Sequence, residues 1–220
     1  MSEVFTNIRD ALATLRESST PLDQFGSQSH GFRVHPSITE ETVQEFERVH
    51  RVTLPAEYRG FLIHVGNGGA GPSYGLFKLG EMDDGFGHKP WTENGGFVGT
   101  LSQAFPHTGR WNDLSEEPLY DESRENDQEW EDEYQRQLVV WEDRVYWNPV
   151  NVNGAVPICH LGCAYRQWLV VTGSEAGNVW CDDRVDMAGL RPLEQGSQTR
   201  VSFLQWYCSW LDEALGKLRA

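Results

Sequence analysis

Four cysteines, seven histidines and 33 acidic residues are the side chains of this 220-residue chain best equipped for chemistry. Cys159, His160, Cys163 and Cys181 could suggest zinc. A C-x-x-C pair is missing, however, and residues 159 and 160 of a strand point to opposite faces. Buried thiols acting as small apolar groups are the expectation. Cys163 or Cys208 as a nucleophile needs an adjacent His and an electropositive niche, whereas acidic surroundings raise a thiol pKa. Carboxylates pair at Asp83-Asp84, Glu116-Glu117 and Asp182-Asp183. A glycosidase needs two of them in a cleft with split environments; a solvated acidic surface is the plainer reading. No D-x-D-x-D-G loop offers calcium a seat. Gly66-x-Gly68-x-x-Gly71 has the spacing of a dinucleotide-binding loop, but that chemistry requires strand, glycines, then a helix N-terminus. Here a helix precedes the glycines and Pro72 and a strand follow, so the loop meets a helix C-terminus with its partial negative charge. No catalytic residue, metal or cofactor is expected.

Charge narrows the function further. The net charge is −15. Phosphate would be repelled, so nucleic acid is excluded as a partner, and a basic protein is favoured. From Asp113 to Glu133 there are eleven Asp or Glu and one Arg, a net of −10 and two thirds of the whole imbalance. No run of about eighteen apolar residues spans a membrane, and the N-terminus lacks the apolar stretch of a signal peptide. A cytoplasmic protein with reduced cysteines is the expectation.

The elements that position these groups follow from periodicity. Phe5, Ile8, Leu12 and Leu15 predict an N-terminal helix at about 3–16, broken by Thr20-Pro21. Residues 31–36 suit a short strand. Thr39 suits an N-cap ahead of Glu40 and Glu41, with Val43, Phe46 and Val49 on the apolar face. Pro55 suits the first turn of another helix, whose stripe is Tyr58, Phe61, Leu62 and Val65. Gly66 is placed to end it in a left-handed conformation. A strand is expected at 74–79, with Tyr74 and Leu76 on one face and Phe77 and Leu79 on the other. Residues 81–150 read as irregular, with a helix at 126–140 carrying Trp130, Tyr134 and Leu138. Strands at 156–160 and 168–172 follow, then the turn 173–177 and a return strand at 178–182. Ser202 suits the N-cap of a closing helix with Phe203, Trp206 or Tyr207, Trp210, Leu211, Ala214 and Leu215 on a broad apolar face. Helices, strands, a long excursion, strands and a helix make an α+β fold.

LPAEYRGFLIHVGNGGAGPSYGLFKL at 54–79 resembles the N-terminal signature of the SUKH superfamily: a proline-started helix, a glycine loop, then Gly71-Pro72-Ser73-Tyr74-Gly75-Leu76-Phe77. VPICHLGCAYRQWLVVTGSEAGNVWCDD at 156–183 is similar to that family's second half, ending in V-W-x-D, and SFLQWYCSWLDEAL at 202–215 resembles its closing helix. The likeness covers 31–80 and 155–215. It implies one domain over 1–220, with a central, mostly antiparallel sheet flanked by helices and an acidic insertion at about 81–150. It also implies protein binding rather than catalysis. Bacterial members are commonly immunity proteins that neutralise a cognate toxin, often a nuclease; fungal members regulate cell-wall synthesis.

Aromatics rimmed by acids make good interface anchors. The residues expected to bind a basic toxin are Trp91, Trp111, Glu117, Asp121, Glu129, Trp130, Glu131 and Asp132. The competing reading is that the tryptophans at 91, 111, 130, 141 and 147 pack the excursion onto the rest of the chain.

Overall fold

The computed structural model describes residues 2–18, 24–83 and 87–219. Thr20, Pro21 and Asp84 lie outside the described residues. Six α-helices are described: α1 (Ser2–Glu17), α2 (Ser27–His30), α3 (Glu40–His50), α4 (Ala56–His64), α5 (Gln128–Trp141) and α6 (Phe203–Arg219). Six strands accompany them: β1 (Glu81–Asp83), β2 (His88–Pro90), β3 (Ala155–Gly162), β4 (Tyr165–Val170), β5 (Val179–Asp182) and β6 (Leu190–Pro192). β1 and β2 form a hairpin, and β3-β4-β5-β6 form an antiparallel meander. The fold is α+β.

The helices follow local rules. Thr39 Oγ1 accepts from Thr42 N at 3.2 Å and caps α3. Ser202 Oγ accepts from Gln205 N at 3.4 Å while Gln205 Oε1 accepts from Ser202 N at 2.9 Å, a reciprocal box that starts α6. The α1 stripe is buried at Phe5, Ile8, Leu12 and Leu15, and α1 lies against α4 and α6. Tyr58, Phe61 and Leu62 of α4 are buried, and Phe61 meets Tyr207 of α6 edge-on at 4.8 Å. Val49 departs from the expected α3 face: it is 55% exposed.

The glycine loop departs from expectation in an informative way. Gly66 does not adopt positive φ, and its role is steric: a Cβ there would stand 2.6 Å from His35 O. Positive φ falls instead on Gly68 (78°), Gly69 (101°) and Gly75 (97°). The strands expected at 31–36 and 74–79 reduce to single bridges, Val34 to Gly69, Gly69 to Leu76 and Leu76 to Cys159. Gly75 interrupts the extended conformation, so Leu76 and Phe77 are both buried while Tyr74 is 42% exposed. The bridges nevertheless continue the sheet. One row of partners runs Val34, Gly69, Leu76, Cys159, Gln167, Cys181, Arg191 across the molecule.

Both faces of the meander are covered, which is why 168–172 reads as an almost continuous apolar run. Gln167 shares a cavity wall with Trp206 and Trp210 of α6. The alternate face carries Arg166, Trp168, Trp180 and Asp182, paired across β4 and β5. Residues from the 97–152 segment cover it: Phe105 meets Trp180 edge-on at 4.7 Å, and the Arg166 guanidinium lies 4.8 Å from the Phe97 ring. β6, which sequence periodicity did not reveal, is bridged at Leu190 by Trp111 of the same segment.

Candidate protein-binding surface

The acidic segment is built around α5. Asp127 Oδ1 accepts from Trp130 N at 3.1 Å and caps the helix, and Arg124 closes on Asp127 at 2.7 Å. Hydrogen bonds from Arg124 and Trp130 hold the Asp127 carboxyl below the usual carboxylate range. Glu129 and Glu131 occupy the first turn, where the helix dipole favours negative charge. Asp132 accepts from Gln128 at 2.8 Å. Asp121 accepts from the Ser123 hydroxyl and backbone N–H, which lower its pKa. Glu129, Asp121 and Asp132 are exposed; Glu131 and Glu117 are half-buried.

Aromatic contacts bind this segment together. Trp130 stacks on Tyr134 at 5.6 Å, and Tyr120 meets both edge-on at 5.1 and 5.2 Å. The Arg124 guanidinium lies 5.6 Å from the Trp130 ring. Burial, and then the charges of Glu131 and Glu125, raise the Tyr120 phenol pKa. Leu119 beside this cluster is 90% exposed. On the other end of α5, Val139 and Val140 are about half-exposed and line an open groove of about 990 Å³ with Pro118, Glu116, Glu133 and Arg144. Apolar groups framed by charge are the composition of a docking face.

A buried column fixes this surface to the sheet. Trp141 stacks on Tyr146 at 5.3 Å, Tyr146 on Trp111 at 5.7 Å, and Trp111 on His107 at 5.1 Å. Tyr146 Oη donates to Asn112 Oδ1 at 2.8 Å and accepts from Gly189 N at 3.0 Å. Beneath it Arg184 and Asp182, both almost fully buried, pair at 2.7 Å. Trp168 Nε1 donates to Asp182 at 2.9 Å, and Arg184 donates to Tyr146 O at 3.2 Å and lies 4.6 Å from the Trp147 ring. Burial alone would raise the Asp182 pKa; the Arg184 charge and these hydrogen bonds hold it down.

The expected binding residues therefore separate. Asp121, Glu129, Trp130, Glu131 and Asp132 lie on or beside the first half of α5, and Glu117 lies near enough to Tyr146 to act on its phenol. Trp111 belongs to the buried column. Trp91 is remote from α5, packed on Phe46 and His50 of α3 at 6.1 and 5.4 Å. Trp141 is buried, as the packing reading had it. Asp182 and Asp183 are not a solvated pair: Asp182 is buried against Arg184, and Asp183 is bonded to Arg191 at 2.7 Å. The alternation of Arg184 with an apolar hairpin was the available signal, since a cation there needs a partner. Sequence reasoning also missed Val139 and Val140, whose exposure depends on where α5 docks.

Cys159 and Cys181 are buried and burial raises both thiols, but Cys163 is exposed in the β3–β4 turn, against the expectation of burial. Among the described residues no group of three or more His, Cys, Asp or Glu is arranged to hold a metal, and no helix is long and apolar enough to cross a membrane.

A family model described as the SMI1 / KNR4 family (SUKH-1) matches residues 37–192. The chain belongs to this family. The bounds of the SMI1/KNR4 match enclose the acidic segment and α5 and stop short of α6. No curated protein and no solved structure matches the chain.

Proposed function

We propose that this SMI1/KNR4-family chain is a non-enzymatic, cytoplasmic binding protein that neutralises a basic toxin by covering its working surface. The observation that carries the reading is the concentration of exposed carboxylates on the first half of α5, beside an aromatic cluster and an apolar groove. The carboxylates steer a cationic partner from a distance, and Tyr120, Leu119, Val139 and Val140 supply the desolvated contact that holds it. The fold presents this face on a rigid base, because the Asp182–Arg184 pair and the Trp111–Tyr146–Trp141 stack lock it to the sheet.

The test is capture of the partner from the native host, followed by association kinetics with the purified pair. The on-rate is expected to fall at least about tenfold as salt rises from low to well above physiological strength. Glu129→Lys with Glu131→Lys and Asp132→Lys is expected to lower it comparably at low salt. The bound partner is expected to lose its toxic activity. A salt-independent on-rate refutes steering. A basic partner whose activity survives binding would favour a regulator or scaffold of the cell-wall-synthesis type.

A further inference from the structure

A second groove, of about 900 Å³, has the opposite electrostatic character in a chain of net −15. It lies between residues 29–36, the 69–78 loop, the β1–β2 hairpin and the β3–β4 turn. Four of the seven histidines line it: His30, His35, His88 and His160. Arg33 and Lys78 join them, and Asp83 is the single carboxylate among the described lining residues. Lys78 is held by Glu81 at 3.4 Å. Arg33 is exposed and, among the described residues, has no ion-pair partner. The floor is apolar and aromatic. The His88 ring meets Phe77 edge-on at 5.4 Å, and His160 tilts against Tyr74 at 5.7 Å. The β3 bulge between His160 and Gly162 sets this end of the wall.

Cationic and imidazole groups gathered around one concave site repel each other once protonated, and an anion relieves that repulsion. We propose that this groove binds a short acidic peptide segment, its carboxylates taken by Arg33, His35, His88 and His160 and its apolar side chains resting on Tyr74. The volume sits at the upper end of ligand cavities and exceeds the needs of a lone ion. This site is separate from the acidic surface on α5 and would take a ligand of opposite charge.

The groups that face the imidazoles set its pH response. Residues 29–36 contribute Arg33, the glycine loop Lys78, the hairpin Asp83 with Glu81 behind Lys78, and β4 Arg166. Burial holds His30 and His160 below the ordinary imidazole value; Asp83 pulls His160 upward, and Arg166 and His88 oppose it. Bound carboxylates favour the imidazolium form. Binding therefore takes up protons and tightens as pH falls.

The experiment is fluorescence anisotropy with a labelled hexaglutamate peptide and the full chain, at about pH 6 and about pH 8. Calorimetry in two buffers of different ionisation enthalpy counts protons. The expected result is binding about tenfold tighter at the lower pH, with net proton uptake. Arg33→Glu and His160→Gln are each expected to weaken it at least about fivefold, with circular dichroism unchanged. His64→Gln, on α4 and outside the groove, is expected to leave it intact. Absence of binding at both pH values overturns the proposal. So does affinity untouched by Arg33→Glu, or inorganic phosphate competing as well as the peptide.

Discussion

At the scale of single residues, the pair Asp182–Arg184 carries the greatest electrostatic stake. The two side chains are 1% and 2% exposed, and each leaves the other a buried, uncompensated charge if removed. Asp182→Asn is expected to destabilise by about 3–5 kcal/mol in urea unfolding. The double change Asp182→Leu with Arg184→Met is expected to lose less than either single change, because no charge remains buried. The Asp182 carboxyl is held below its unfolded value, so its contribution is present above that value and disappears as pH falls through the lower folded one. His107 works at a higher pH. Burial lowers its pKa to about 4, and its neutral ring bonds Asn151 O at 3.0 Å. The unfolded ring takes a proton near pH 6.5, so stability declines as pH falls from there toward 4. His107→Gln is expected to narrow the stability gap between about pH 7 and about pH 5 by roughly 1–2 kcal/mol. An unchanged gap would show that the ring is already charged in the fold.

At the scale of elements, the 66–77 loop decides how far the sheet extends. Gly69 bridges both Val34 and Leu76, at φ 101°, with an added Cβ only 2.6 Å from Arg33 O. No L side chain fits there without moving the bridge. Gly69→Ala is therefore expected to lower stability by roughly 2–4 kcal/mol. Gly196→Ala serves as its comparison: φ is 58° and the space is open, so left-handed strain alone applies, about 1 kcal/mol. Equal losses at the two positions would mean that Gly69 is conformationally permissive rather than sterically required. α5 shows the complementary case of an element legible from its residues. The Trp130, Tyr134 and Leu138 spacing suffices to place it, and the helix runs Gln128–Trp141 against an expected 126–140.

At the scale of the molecule, charge sets behaviour. A net −15, two thirds of it between Asp113 and Glu133, loads the folded state with self-repulsion. Added salt screens it. The melting temperature of the unliganded chain is expected to rise by about 2–4 °C between low and physiological salt, equivalent to about 1 kcal/mol at this size. A fall would mean that exposed pairs such as Arg48–Glu45 and Arg136–Glu133 outweigh the repulsion. The same carboxylates thus oppose folding while serving association, so charge-reversed α5 variants should melt higher and bind a basic partner more slowly.

The sequence by itself determined the α+β class, the helix stripes, the β4–β5 pairing and the acidic character of the middle segment. These follow from periodicity, capping and charge, which act over a few residues. The family likeness was legible for the same reason, through a glycine loop and a V-W-x-D hairpin whose residues are close in the chain. Only the tertiary structure decided that Asp182 is buried by Arg184, that Trp111 closes a column on Tyr146, that the expected strands at 31–36 and 74–79 shrink to bridges, and that four histidines share one groove. The column, the bridges to Val34 and Cys159 and the groove depend on groups tens of residues apart, and the Asp182–Arg184 pair, though two residues apart, is buried only because Trp168 and Tyr146 close over it. No local period records such a meeting, because burial and pairing belong to the assembled fold rather than to any one segment.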